Sequence, residues 1–348
     1  ALPILQTIAV TGATGRLGAN LVSALLDRGY AVRGMVIPDD PKRGKMDPFD
    51  VEIVVGDIRD ASVCSRFLDG VDAVVHTANL VGVPSGMDRD TFFDINVKGT
   101  LAIAEAAAER ADSLQRFVHV SSDAVYPMGN HDSRPDYAPI DEDHPKRPAG
   151  LYALTKALNE QTVESYRASH GLQTTMVRPA GMFAGAEVLG RWTVGFALGL
   201  LRGAVGNPNC GIHHPDLAQA IATMEADASP DDLCAIRDGE GRPWLYSPAD
   251  ARDVAHACVC ALERPEAVGE AFNAAIPQPF AFDDVAEYLS QRTGAPVYEC
   301  VVPTRWVYWS DIRKARALIG YAPQGTLERV FDTALAHKAG EATDVIPA

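Results

Sequence analysis

Thr11-Gly12-Ala13-Thr14-Gly15-Arg16-Leu17-Gly18 joins two stretches of different period. Before it, Gln6 to Val10 alternates polar and apolar residues in a β-rich run. After it, Ala19 to Arg28 sets Leu21, Val22, Leu25 and Leu26 at helical spacing. The reading is strand, glycine turn, helix. Glycine is needed where the chain turns tightly and a pyrophosphate must approach the backbone, and the helix that follows offers unpaired N–H groups and the positive end of its dipole. Three glycines serve many strand-to-helix turns, so the surroundings decide.

Outward from the turn, a second β-rich stretch covers Ala31 to Ile37. Others follow: Val51 to Val55 before Gly56-Asp57-Ile58, Ala73 to His76 before Thr77-Ala78, and Phe117 to Val120 before Ser121-Ser122. Helical stretches separate them, Leu101 to Arg110 most clearly. Buried strands alternating with amphipathic helices predict an α/β fold, a Rossmann-type doubly wound parallel sheet whose ligands sit beyond the carboxyl ends of the strands. The marked residues all fall at those ends.

The chain has 348 residues, room for two domains or one domain with a lobe, and its 31 Lys and Arg against 46 Asp and Glu leave a net charge of −15. A nucleic acid would be repelled. The strongly apolar stretch Trp192 to Leu201 is about half the roughly 20 residues that span a bilayer, so no membrane partner is expected. Ala1-Leu2-Pro3 carries no basic segment leading into an apolar run, and the expectation is a cytoplasmic protein. Six cysteines are scattered without a CxxC pair, and His213-His214 lacks further ligands nearby, so buried thiols and no metal are predicted.

Eight motifs in order give the chain a resemblance. They are the glycine turn, Gly56-Asp57-Ile58, His76-Thr77-Ala78, Asn96-Val97-Lys98-Gly99-Thr100, Val120-Ser121-Ser122 with Val125-Tyr126, Tyr152 with Lys156, Val177-Arg178-Pro179, and Arg252-Asp253-Val254-Ala255. The chain resembles the extended short-chain dehydrogenase/reductases, the NAD-dependent epimerase/dehydratase family. The resemblance implies that Gly12, Gly15 and Gly18 frame the pyrophosphate, that Thr14, Arg16 and Leu17 bind the cofactor with them, and that Asp57 and Ile58 flank the adenine. It also implies that Thr77 and Ala78 line the cofactor, that Asn96 organises backbone beside it, and that Pro179 lies near the nicotinamide. A helix cap is the alternative reading of Asp57.

Tyr152 and Lys156 stand four residues apart in the predicted helix Leu151 to His170, on one face and one turn from each other. A phenol ordinarily titrates near pH 10, so acid/base work at neutral pH needs its anion favoured by roughly 4 kcal/mol. A neighbouring ammonium supplies that bias. By resemblance, Tyr152 is the catalytic acid/base, Lys156 lowers its pKa, and Ser122 holds the substrate oxygen; Ser122 rather than Ser121 lies four residues before the Tyr126 of the Val-Tyr pair. Leu80, Asp123, Ala124 and Met182 are the candidates for substrate contact. The segment Pro127 to Gly150 is a candidate lid.

The choice of nicotinamide cofactor turns on the end of the second strand. An acid that would hold the ribose hydroxyls is expected there, but Val36-Ile37-Pro38 stands in its place. Asp39 and Asp40 serve NAD if the loop folds back, whereas Arg33, Lys42, Arg43 and Lys45 meet a 2′-phosphate. The string Val32-Arg33-Gly34-Met35-Val36 followed by Asp40-Pro41-Lys42 resembles the plant reductase branch, which prefers NADPH, so the expectation leans to NADP(H), with NAD the alternative.

After Pro179 the strand-helix rhythm breaks. Helices are predicted at Trp192 to Arg202, Pro215 to Asp227, Arg252 to Glu263 and Phe282 to Thr293, with a loop at Ala228 to Trp244 and a strand at Ala271 to Ile276. The expected division is a dinucleotide-binding domain over 1–179, completed by about 245–276, and a smaller, mostly helical substrate lobe over 180–244 and 277–348. Arg242 is read either as a contact for a substrate diphosphate or as loop surface. The aromatics Trp306, Tyr308 and Trp309 pack the lobe or line a ligand.

Three functions compete. The first is an oxidoreductase interconverting a secondary alcohol and a carbonyl on a small organic or sugar-like substrate. The second is a sugar epimerase that keeps its NAD bound, and the third a non-catalytic sensor of the dinucleotide. A small-molecule substrate is the expected partner, with a homodimer as relatives commonly form.

Overall fold

The computed structural model describes residues 5–348, so Ala1-Leu2-Pro3, on which the reading of the N-terminus rests, lies outside the described residues. Among the described residues one sheet contains seven parallel strands. Six are β1 (Thr7–Thr11), β2 (Ala31–Val36), β3 (Val51–Val55), β4 (Ala73–His76), β5 (Arg116–Val120) and β6 (Thr174–Pro179), and the seventh is Ala271–Ala274. The order runs from Ala271–Ala274 through β6, β5, β4 and β1 to β2 and β3. Strand order reverses between β1 and β4, which opens a crevice at their carboxyl ends.

Side-chain alternation along β1 feeds both faces of the sheet. Ile8 and Val10 join the core beneath α1 (Arg16–Asp27), while Ala9 joins that beneath α2 (Ala61–Phe67), whose other walls include α4 (Gly99–Ala108) and α5 (Gly150–His170). The short α3 (Arg89–Phe93) runs through a π-helical turn, Asp94–Lys98, into α4.

Beyond β6 the chain forms β7 (Met182–Phe183), α6 (Val194–Val205), α7 (Leu217–Asp227), β8 (Leu233–Asp238), β9 (Leu245–Tyr246) and β10 (Ala249–Asp250). It continues through α8 (Ala251–Glu263), β11 (the sheet strand Ala271–Ala274), β12 (Phe280–Ala281), α9 (Phe282–Thr293), β13 (Val297–Val302), β14 (Val307–Tyr308), α10 (Arg313–Ile319) and α11 (Leu327–Lys338). α8 packs on α1, and β11 pairs with β6.

Two sequence expectations are corrected here. The predicted loop Ala228 to Trp244 contains β8, whose partner β13 is far along the chain, so local composition carries little trace of it. The helix expected from Trp192 begins instead at Val194, where the Thr193 hydroxyl accepts from the Phe196 amide at 3.3 Å. Trp192 itself turns inward, its ring 4.6 Å from that of Phe282 between centroids. The lobe's core is aromatic: Trp192, Trp244 and Trp306 are all buried.

The candidate lid, Pro127 to Gly150, is stitched down. Ile140 donates its amide to Trp309 and accepts one from Asp311, both at 2.7 Å, and the Gly211 amide donates to Asp132 at 2.6 Å. It is a strap between sheet and lobe rather than a free flap. All six cysteines are buried and free, and no helix among the described residues is long and apolar enough to cross a membrane.

Candidate active site

The glycine turn is closed by contacts that side chains would block. Gly12 has φ 66°, in the region that favours glycine. A Cβ on Gly18 would lie 2.0 Å from the carbonyl oxygen of Gly12, so only glycine lets α1 start this close to the turn. No side chain caps the N-terminus of α1 and no acid stands in its first turn. Those amides and the dipole end face the crevice mouth, an environment that fits a pyrophosphate. Thr11 ties the crevice walls together: its hydroxyl accepts the Thr77 and Ala78 amides at 3.0 and 3.1 Å. Arg16 reaches across to the Met182 carbonyl at 3.2 Å, while Leu17 lies in the core with Met182 packed against it.

Ser122, Tyr152 and Lys156 come together at the carboxyl end of β5. Ser122 begins a tight turn there, its hydroxyl accepting the Ala124 amide at 3.1 Å and bonding to Tyr152. Ser121, one residue earlier, is buried with its hydroxyl unpaired and is not the partner of the tyrosine. Lys156, one turn below Tyr152 on α5, is buried and donates to the carbonyl oxygen of Val120 at 2.8 Å.

The electrostatics differ from the sequence expectation. Burial pushes the Tyr152 phenol up to about 12 while its bond with Ser122 pulls the other way, and burial brings the Lys156 ammonium down to about 7. The Lys156 nitrogen lies 5.8 Å from the ring centre and is bonded to a backbone carbonyl, and burial works against its charged form. His76 and His119 lie beneath it and are held neutral by burial and by its charge.

The remaining expected residues are held by contacts of their own. Asp57 is bound by its neighbour Arg59, which holds the carboxyl below its ordinary range, and the helix cap is Asp60, so Asp57 is not the cap of α2. Ile58 is buried against Gly99. Asn96 accepts the Leu80 amide at 2.8 Å and donates to the Leu80 carbonyl at 3.0 Å, holding Leu80 in place by its backbone. Pro179 closes β6, and Ala124 lies in the turn after Ser122.

The loop after β2 does fold back. The Thr14 hydroxyl donates to Asp40 at 2.5 Å, setting a carboxylate beside the glycine turn. Of the four bases expected to meet a 2′-phosphate, Arg33 is bound to Glu52 and to the carbonyls of Phe67 and Asp69, and Lys45 to that of Pro347. Lys42 and Arg43 are exposed.

Sequence reasoning missed two features. A cavity of about 300 Å³ gathers Arg134, Arg242 and Arg305 with Tyr137 and Trp306. These come from three separated segments, of which Arg242 and Trp306 carried a signal and Arg134 and Arg305 did not. A buried chain of charges also stiffens the α5 side of the site: Arg178 donates to Glu160 at 2.8 and 2.9 Å, and Glu160 accepts from Lys146 at 2.8 Å. The Arg-Pro motif hinted at that one without naming its partners.

Comparisons with known proteins agree on the family and differ on substrate. A model described as the NAD dependent epimerase/dehydratase family matches residues 8–192. Sterol demethylase protein B of Methylococcus capsulatus is 36% identical over 207 residues, 58% of this chain and 60% of that protein. A 3 beta-hydroxysteroid dehydrogenase/Delta 5-->4-isomerase of Mycobacterium tuberculosis is 34% identical over 195 residues, 53% of this chain and 49% of that one. The match thus spans 60% and 49% of the lengths of these two relatives. A short-chain dehydrogenase/reductase superfamily protein from Agrobacterium tumefaciens, solved with bound NAD, superposes with a TM-score of 0.77 at 27% identity, covering 96% of this chain and 98% of that one. UDP-glucuronic acid 4-epimerase from Bacillus cereus shares the fold, with a TM-score of 0.70 at 20% identity over 96% of this chain and 99% of that one.

Proposed function

Because the chain belongs to the NAD-dependent epimerase/dehydratase family, we propose that it is an oxidoreductase interconverting a secondary alcohol and a carbonyl, with NAD as its dissociable partner. The observation that carries this reading is the meeting of Ser122, Tyr152 and Lys156 at the carboxyl end of β5. When bound, the nicotinamide accepts or supplies the hydride. Gly12, Thr14, Gly15, Arg16 and Gly18 hold its pyrophosphate, Thr77, Ala78 and Pro179 line its path, and Asp57 and Ile58 flank the adenine.

Each member of the triad has a separate task. Tyr152 moves the proton at the substrate oxygen. Ser122 fixes that oxygen by a hydrogen bond. Lys156, anchored on Val120, holds the helix face and places positive charge beneath the phenol. A chain that retains this set has groups a sensor does not need, which favours an enzyme over the sensor reading.

NAD is favoured over NADP by Asp40. Its carboxylate beside Thr14 accepts from ribose hydroxyls and repels a 2′-phosphate, while Arg33 and Lys45 are engaged elsewhere. The balance drawn from the sequence thus reverses. For the substrate, the steroid dehydrogenases among the relatives make 3β-hydroxysteroids the first alcohols to try. A second reading, an epimerase acting on a nucleotide sugar, is favoured by the cavity of Arg134, Arg242 and Arg305, which suits an anionic group. Net turnover separates the two. With NAD and an alcohol panel, reduced cofactor accumulating beyond one equivalent of protein supports the oxidoreductase, and no accumulation with interconverted sugar nucleotides supports the epimerase.

A further inference from the structure

Asp123, next to Ser122 in the chain, is 4% exposed. One carboxylate oxygen accepts the Ser122 hydroxyl at 3.1 Å and the other accepts the Tyr308 hydroxyl at 2.8 Å. Tyr308 lies on β14 in the lobe and is fully buried, so the clamp ties the turn after β5 to the lobe. The titratable groups that face Asp123 are all phenols: Tyr152 from α5, Tyr246 from β9 and Tyr308 from β14. A buried carboxylate among neutral groups costs free energy, and burial moves it up to about 6 against the hydrogen bonds that favour its anion.

The proton count at Ser122 gives this cost a consequence. A hydroxyl has one proton and two lone pairs. One lone pair takes the Ala124 amide, and the ionised Asp123 takes the proton. Its second lone pair, on the side of Tyr152, is then all that Ser122 offers to the site, an acceptor for the phenol or for an alcohol that takes the phenol's place. We infer that Asp123, clamped by Tyr308, is a positioning residue for Ser122: ionised, it draws the serine proton away and makes Ser122 an acceptor for the alcohol, and protonated, it frees that proton for donation to the carbonyl. The inference rests on the oxidoreductase reading for its substrate, but the direction of the serine proton is measurable without one.

The test is an infrared difference titration of the intact protein, with Asp123→Asn identifying the carboxyl band. The expected midpoint is near 6, and Ser122→Ala and Tyr308→Phe, each conservative and each removing one donor to the anion, raise it by about one pH unit. A midpoint unmoved by both variants overturns the clamp. In a second arm, a 3β-hydroxysteroid with NADH and its ketone with NAD form non-reacting complexes. The ketone is expected to bind about tenfold tighter, relative to the alcohol, as the pH falls through that midpoint, with the dependence lost in Asp123→Asn. Affinities that keep a constant ratio where these complexes form overturn the substrate role. Shifted midpoints with no complex of either steroid uphold the clamp and count against the substrate reading instead.

Discussion

The ammonium of Lys156 lies 2.8 Å from the carbonyl oxygen of Val120, two residues before Ser122. That bond fastens the tyrosine-bearing helix to the serine-bearing strand. It makes Lys156 a structural tie as well as a charge, and it explains why Tyr152 and Ser122 face each other although the strap of Pro127 to Gly150 separates them in sequence.

Replacing Tyr152 by Phe removes the transferable proton and leaves the ring in place. Turnover is expected to fall about a thousandfold, with the dinucleotide dissociation constant unchanged within about twofold. Steady-state rates beside a calorimetric titration check both halves; retained turnover removes Tyr152 from its role.

Lys156 yields a pH signature. Its pKa is lowered from 10.5 to about 7 by burial, so the folded state binds fewer protons than the unfolded state between those values. Stability therefore rises with pH across that window. Denaturant midpoints from pH 7 to 10 are expected to climb more steeply for the parent protein than for Lys156→Met, and parallel slopes would show that the lysine is not desolvated.

Gly18→Val sets a side chain against the Gly12 carbonyl, where even a Cβ would be 2.0 Å away. The NAD dissociation constant is expected to rise at least tenfold, about 1.4 kcal/mol, with a lower melting temperature. Unchanged binding would move the pyrophosphate elsewhere.

The Glu160–Arg178 pair is buried on both sides, the side chains being 0% and 3% exposed. Glu160→Gln leaves the guanidinium without its counter-charge, which is expected to cost about 3 kcal/mol of stability in a denaturant titration. A loss below about 1 kcal/mol would show that water reaches the pair.

Asp40→Ala tests the cofactor choice alone. The preference for NAD over NADP is expected to narrow about tenfold, read from the two dissociation constants, while Tyr152-dependent chemistry stays in place. A preference that does not move takes Asp40 out of the discrimination.

The nucleotide-binding half was the more legible part because its signals are local. Val51–Val55 and Ala73–His76 are bounded in the fold as their composition implies, and the glycine turn declares itself by spacing. The lobe resisted because its pairings are remote: β8 needs β13, and Asp123 needs Tyr308, contacts that no local period records. The charge state of the site was illegible for another reason. Spacing puts Lys156 near Tyr152, but only the depth of the pocket reveals that burial lowers the pKa of the one and raises that of the other.

The most direct test of the dissociable-NAD account is a denaturing extraction of the purified protein followed by titration of the folded protein with NAD and NADP. The account predicts little nicotinamide released on unfolding and tighter binding of NAD than of NADP by the folded protein. Near one equivalent of NAD, released only on unfolding, would contradict it and favour the epimerase.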